Sequence, residues 1–484
     1  MIKVSQLRLR LLRGLMLAVL VALLALPAAA TAAPAQSKGF VPFTAKNGCL
    51  DQRTPSVFGM QVYSPMNKNS PYFPFFQNSG ASWVRVPVYW SAIQPDNAKQ
   101  YNWGQIDALL NVYNTGCANI IATIDMAPAW AQAIDGSPRG PIKQAQMGNF
   151  VKFVQTLVER YDGDGNADAP GGIVVNYWEF YNEPDFGANP TEGNGWGNYG
   201  SQYAAMLKAV YQPIHTANPN AQVVMGGIAY DAFADAPGGV FIRSFLDDVL
   251  TAGGGSFFDV MNFHYYPAFR MDWTQTQGTG LPEKIAAIRQ KLADHALDKP
   301  LILTETGWHS NAPKQNPSSE EEQSRYVVRF FAQSIAYNLR FSIWWMLHDG
   351  LTESGYQFAN GLVTDSAPPV AKPAYQVYQT AVNRIARAQF VAALSVAETQ
   401  DANLEVYQFA EAYTGKRLYV AWINPVESSE TRPLSVAGSV ATIYSKEDTL
   451  QAVVRDGDAN DNDGAQDGKI TLPVGSSPLY IVMD

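Results

Sequence analysis

The chain has little of what metal chemistry or a disulfide-built fold requires. Only two cysteines, Cys49 and Cys117, and five histidines occur in 484 residues. No His-x-His pair and no HExxH motif is present, which excludes the familiar catalytic zinc sites. An even pair of cysteines in an exported chain is permitted to bridge; the alternative is two unpaired, buried thiols. The segment FGMQVYSP has no Gly-rich phosphate turn after its strand-like start, which argues against a doubly wound nucleotide-binding sheet. Past the N-terminus no run is long and apolar enough to span a bilayer. Positive charge is also in deficit, with 34 Lys and Arg against 43 Asp and Glu and a net charge of −9. Nucleic acid and polyanions are therefore poor default partners.

What is present divides the chain. Residues 1–33 carry Lys3, Arg8, Arg10 and Arg13, then an apolar stretch from Leu15 to Leu26, then small residues around a cleavage point after Ala32. This reads as a secretory signal peptide, which predicts a secreted, extracellular protein with no membrane attachment after cleavage. The alternative, a retained anchor, is disfavoured because the uncharged stretch is short against the ~20 residues a span needs. A leader follows over 34–51. Over 52–387, apolar strand-like runs at 56–63, 82–90, 118–126, 173–181, 221–228, 257–266, 299–306 and 340–347 alternate with helical patterns such as MGNFVKFVQTLVERY. Eight βα units predict an α/β fold, a (β/α)8 TIM barrel. From 388 to 484 the texture changes to short alternating runs such as LEVYQFA and RLYVAWIN, predicting a small C-terminal all-β sandwich.

Two glutamates fall where parallel strands should run out, Glu183 in WEFYNEPD and Glu305 in LILTETGW. A charge at the mouth of a buried strand is expensive unless used or paired. The C-terminal strand ends of such a barrel form its active-site face, so the two carboxylates can converge there from distant points in sequence. Paired carboxyls are the equipment of glycoside hydrolysis, with about 5 to 5.5 Å between them where configuration is retained. Asn182, just before Glu183, offers an amide to a sugar 2-OH, and Pro184 fixes the turn. Neutral carbohydrate also suits the acidic composition.

WEFYNEPD on the fourth strand and TETGW on the seventh resemble the clan A, or 4/7, retaining glycoside hydrolases, family 39-like or family 5-like, over roughly residues 52–385. The resemblance implies that Glu183 is the acid/base and Glu305 the nucleophile, with no cofactor required. It also implies that Arg85 in WVRVPVYW supports the nucleophile. His264 and Tyr266 in FHYYP match the clan's His-x-Tyr, with Tyr266 rather than Tyr265 donating to the nucleophile. Trp345 in WWMLHD, rather than Trp344, matches the tryptophan that floors the sugar site. One departure is Asp125 in ATIDMAPAWA, where family 5 carries histidine; an aspartate there can accept from sugar hydroxyls.

The loop after the acid/base, 186–200, holds Trp196 and Tyr199, both candidates for stacking on sugar rings or for anchoring the loop. DGDGNAD spaces Asp162, Asp164, Asn166 and Asp168 two apart, as in the first half of a structural calcium loop, and lacks that loop's glycine and distal glutamate. The run 456–468 is equally acidic, a second candidate or a solvated hairpin. Two rival functions use the same scaffold: a carbohydrate-binding barrel without catalysis, and a transglycosylase. Sugar, linkage and oligomeric state are not encoded legibly.

Overall fold

The computed structural model describes residues 56–62, 66–187, 195–229, 240–266, 280–312, 317–350 and 356–484. The expected signal peptide, the leader and Cys49 lie outside them; Cys117 is disulfide-bonded. Each apolar run contributes a strand: β1 (Phe58–Gln61), β2 (Trp83–Tyr89), β3 (Asn119–Asp125), β4 (Tyr177–Phe180), β5 (Gln222–Met225), β6 (Met261–Tyr265), β7 (Leu301–Thr306) and β8 (Leu339–Trp345). They are parallel in the order β5-β4-β3-β2-β1-β8-β7-β6, and bridges Val224 to Val260 and Ile228 to Phe263 close the ring. Because both faces of each strand are covered, the runs read as nearly continuous hydrophobes. The principal helices between and after them are α1 (Phe73–Asn78), α2 (Gly104–Thr115), α3 (Met147–Arg160), α4 (Gly200–Ala217), α5 (Phe245–Thr251), α6 (Leu281–Asp294), α7 (Glu320–Ala336) and α8 (Pro373–Arg384).

Helix α7 shows how the sequence sets its own boundary. The Ser319 hydroxyl accepts from the Glu322 N–H, and Glu320, Glu321 and Glu322 fill the first turn, where the helix dipole favours negative charge. Its burial is almost all round, because one face packs on the barrel and the other meets the C-terminal module.

That module begins with β9 (Gln389–Ala393) and continues through β10 (Leu404–Ala410), β11 (Arg417–Ile423), β12 (Arg432–Ala437), β13 (Val440–Ser445), β14 (Leu450–Arg455), β15 (Lys469–Val474) and β16 (Leu479–Met483). Six strands form an antiparallel sheet, β14-β13-β16-β11-β10-β9, and β12 pairs with β15 in a second. Alternation along β11 explains its unbroken apolar text. Tyr419, Ala421 and Ile423 face the small sheet through Leu434, Val436 and Leu472, while Leu418, Val420 and Trp422 join the barrel core. The acidic run 456–468 is not a hairpin: it crosses from β14 in one sheet to β15 in the other. Asp461, buried within it, accepts from the Thr471 and Gly457 N–H groups.

Arg329 of α7 ties the module to the barrel. Its guanidinium is buried and donates to Asn424 Oδ1 at 2.9 Å, the Ile423 carbonyl at 2.9 Å and the Ser476 carbonyl at 2.7 Å. Arg329→Met leaves three buried acceptors without donors and is expected to cost about 3 kcal/mol of stability. Urea unfolding of the two proteins checks this; a difference below about 0.5 kcal/mol, the scale of surface substitutions, would show the contact to be idle.

Candidate active site

Strand alternation decides which side chains enter the barrel. Phe341 and Ile343 of β8 point inward with Ile121, Tyr177, Val224, Val260 and Ile302 to build an apolar floor. Trp345 follows them inward by the two-residue period and stays partly exposed. Trp344 turns to the helix layer, fully buried near Phe330, with its indole N–H on the Asn360 carbonyl.

Above the floor lies a polar layer. Glu179, central in β4, has no solvent exposure. It accepts from Arg85 Nε at 2.6 Å, Arg85 Nη2 at 2.9 Å, the Thr123 hydroxyl at 2.7 Å, Asn262 Nδ2 at 2.9 Å and the Gly227 N–H at 3.0 Å. Burial works to raise its pKa, but the Arg85 charge and hydrogen bonds outweigh that and leave it below the ordinary value. Only glycine fits at 227: an added Cβ would stand 2.2 Å from His264 Nε2. Arg85 is itself desolvated, yet Glu179 and Glu305 hold its pKa above normal.

At the mouth, Arg85 continues to Glu305 Oε1 at 2.5 Å, Asn182 Oδ1 at 2.7 Å and Gln61 Oε1 at 3.2 Å. The Tyr266 hydroxyl donates to Glu305 Oε2 at 2.9 Å, while Tyr265 points toward Phe330 in the helix layer. Two backbone irregularities aim the glutamates. The register of β6 against β7 slips after Phe263–Leu303, so His264 pairs with Glu305 instead of Thr304. With that extra residue, both Thr304 and Glu305 reach the interior, which strict alternation forbids. Beyond β4, Tyr181 at φ +64° and Glu183 at φ +46° take left-handed conformations that bend the chain back over the mouth; such strain gathers at functional sites.

The result is a tight cluster. One oxygen of Glu183, one of Glu305 and a ring nitrogen of His264 all lie within 4.8 Å of one another. His264 Nδ1 is 3.1 Å from Glu183 Oε1 and 3.7 Å from Glu305 Oε2. Burial raises the Glu183 pKa, against the opposing charges of Arg85, Arg139 and Lys284. The same burial pushes His264 down to about 4, so its ring is neutral at neutral pH.

Other expected residues fall differently. Trp196 is no stacking platform: it is 1% exposed, wedged edge-on between Tyr181 and Tyr203. Tyr199 is half-buried against the core. Asp125 is buried with both oxygens engaged, one by the Met126 N–H and the other by Arg139 Nε at 3.2 Å. The half-exposed Arg139 guanidinium, not the aspartate, is what the third strand end presents. Asp162, Asp164 and Asp168 do converge, with oxygens within 4.8 Å, and the neighbouring Asn166 donates through its Nδ2 to Glu159. Glu179, Thr123, Asn262, Thr304 and Arg139 were not anticipated, although an acid in the middle of an apolar run, IVVNYWEFY, was itself a signal.

Residues 46–349 match the model of the cellulase family, glycosyl hydrolase family 5. No curated protein matches the chain. Among solved structures, a family 39 glycoside hydrolase from Bacteroides cellulosilyticus WH2 is similar at a TM-score of 0.64 and 19% identity, over 89% of this chain and 81% of that one. A GH39 β-xylosidase from Caulobacter crescentus gives 0.58 and 14%, over 89% and 96%. A family 30 subfamily 8 xylanase from Clostridium acetobutylicum gives 0.57 and 14%, over 88% and 95%. At these identities the structures speak for the fold.

Proposed function

Since the chain belongs to the cellulase family, glycosyl hydrolase family 5, we propose that this glycosidase is a secreted enzyme that cleaves a β-linked oligo- or polysaccharide with net retention. One observation carries the stereochemical reading: oxygens of Glu183 and Glu305 lie within 4.8 Å. That separation suits a carboxyl pair about 5 to 5.5 Å apart, whereas inversion needs about 6.5 to 9.5 Å to admit a water.

In the first step a Glu305 oxygen bonds to the anomeric carbon as the glycosidic C–O bond breaks, and Glu183 gives its proton to the departing oxygen. In the second, water attacks the anomeric carbon, its proton goes to Glu183, and Glu305 leaves with its electron pair. Arg85 and Tyr266 aim the Glu305 carboxylate by hydrogen bonds to its two oxygens. The Asn182 Oδ1 is taken by Arg85, which turns the amide NH2 toward a sugar hydroxyl. Trp345 supplies the apolar face under the ring. The chemistry calls for no cofactor, and the N-terminal basic and apolar segment supports export.

Time-resolved proton NMR of the products tests the reading. The β-anomer should appear first, with the α-anomer growing only by mutarotation; first appearance of the α-anomer would sink it. Reducing-end release from β-glucans, xylans and mannans identifies the sugar. Xylans belong beside glucans because similar folds include a β-xylosidase and a xylanase.

A further inference from the structure

We infer that Glu179, Asn262 and Thr304 are positioning residues that lock His264 in its Nε2–H tautomer, so that the bare Nδ1 keeps a proton on Glu183. The inference rests on the reading of Glu183 as the acid. It follows from counting donors and acceptors along one chain of contacts.

Glu179, ionised against Arg85, is acceptor-only. The Asn262 group 2.9 Å from Glu179 Oε1 must therefore be the NH2 end; a carbonyl oxygen there would face a carboxylate. This fixes Asn262 Oδ1 toward Thr304, whose hydroxyl spends its only proton on it at 3.0 Å. The Thr304 oxygen then has lone pairs alone to offer His264 Nε2 at 3.1 Å, so Nε2 must carry hydrogen. A neutral imidazole has one N–H, which leaves Nδ1 as a lone pair 3.1 Å from Glu183 Oε1. Two lone pairs at that distance repel, whereas a protonated Glu183 donates and makes a hydrogen bond.

The surrounding charges do not replace this device. Glu183 is faced by His264, Tyr266, Arg85, Arg139, Lys284 and Glu179, and the three cations all favour its ionised form. His264 is faced by Glu183, Glu305, Arg85, Glu179 and Lys284. If Nδ1 carried the hydrogen, it would donate to either catalytic carboxylate and add a fourth influence favouring an ionised Glu183. The relay removes that influence. After the proton has gone to the leaving group, the same lone pair opposes the Glu183 carboxylate and makes it a readier base toward water.

Two-bond proton–nitrogen NMR of histidine-labelled protein reads the tautomer directly, with His264→Asn assigning the signal. The wild type should show neutral, Nε2-protonated His264 from pH 5.5 to 8. Thr304→Val should convert it to the Nδ1–H form and lower the alkaline limb of kcat/KM on 4-nitrophenyl β-cellobioside by about one pH unit, the scale of one hydrogen bond to the charged form. Thr304→Ser should restore both. An Nδ1–H signal in the wild type overturns the inference whether or not any variant folds. So does a Thr304→Val protein with an unchanged tautomer. Failure of the underlying reading looks different: Glu183→Ala would then lose 2,4-dinitrophenyl and phenyl β-cellobioside cleavage equally, instead of sparing the better leaving group.

Discussion

Glu305→Gln is expected to lower turnover by on the order of 10^6-fold, the scale seen when a covalent nucleophile is removed, while leaving the protein folded and no less stable. The catalytic loss follows from the amide being unable to bond to the anomeric carbon as a carboxylate does. The stability expectation comes from the charges around Arg85. Two carboxylates, Glu179 and Glu305, share one guanidinium in the wild type, so Arg85 keeps a charged partner when Glu305 is neutralised. The substituted side chain would leave Arg85 matched by Glu179 alone and still accept through its amide oxygen. No buried charge is left without a partner, so the loss that follows a broken buried ion pair is not expected. A 2-deoxy-2-fluoro β-glycoside gives a second readout, because it should accumulate as an ester on the peptide containing Glu305. Wild-type turnover in the variant, or an ester on another residue, would remove Glu305 from the nucleophile's role.

The sequence revealed the ends of the machinery better than its middle. Glu183 and Glu305 stood out because each is a charge beside a motif at the end of an apolar run. Arg85, His264, Tyr266 and Trp345 came with the resemblance and lie in the barrel interior or at its mouth. Glu305 reaches the interior through an extra residue in β7, opposite His264, and no spacing in LILTETGW announces a bulge. Trp196 misled because a glycine-rich aromatic loop reads alike whether its ring is exposed or tucked between Tyr181 and Tyr203. Asp125 had the right address at a strand end, but only three dimensions reveal that Arg139 claims it. In the C-terminal module, β12, β14 and β15 are harder to read from sequence than β10, β11 and β16. They are one-sided, whereas β10, β11 and β16 are buried on both faces and so are richer in hydrophobes.

Arg85→Met should be the most damaging single change to stability at the site. Arg85 is 3% exposed, and its loss strands Glu179, which has no exposure and keeps only Thr123, Asn262 and the Gly227 N–H as partners. Breaking one side of a buried ion pair costs about 3 to 5 kcal/mol. Loss of the Glu305 and Asn182 contacts should also lower kcat by on the order of 10^2 to 10^3-fold. The pH dependence has a definite sign. With Arg85 present, the folded-state pKa of Glu179 lies below its ordinary 4.5. Its ionisation therefore contributes stability above that ordinary value, and the contribution is lost as pH falls through the folded pKa. Without Arg85, burial raises the folded pKa above the unfolded one. The variant's deficit is then full above the raised pKa and shrinks on acidification toward the unfolded value. Urea unfolding at pH 5 and pH 8 should accordingly give the larger deficit at pH 8. Adding Glu179→Gln to Arg85→Met should recover most of the lost stability but not the activity, because the stranded charge is gone while Glu305 remains unsupported. A deficit equal at both pH values, or a double variant no more stable than the single, would show that Arg85 acts by packing and not by charge. Recovery without activity would show that a core built for stability alone could dispense with this ion pair, and that the barrel keeps it to hold Glu305 in place.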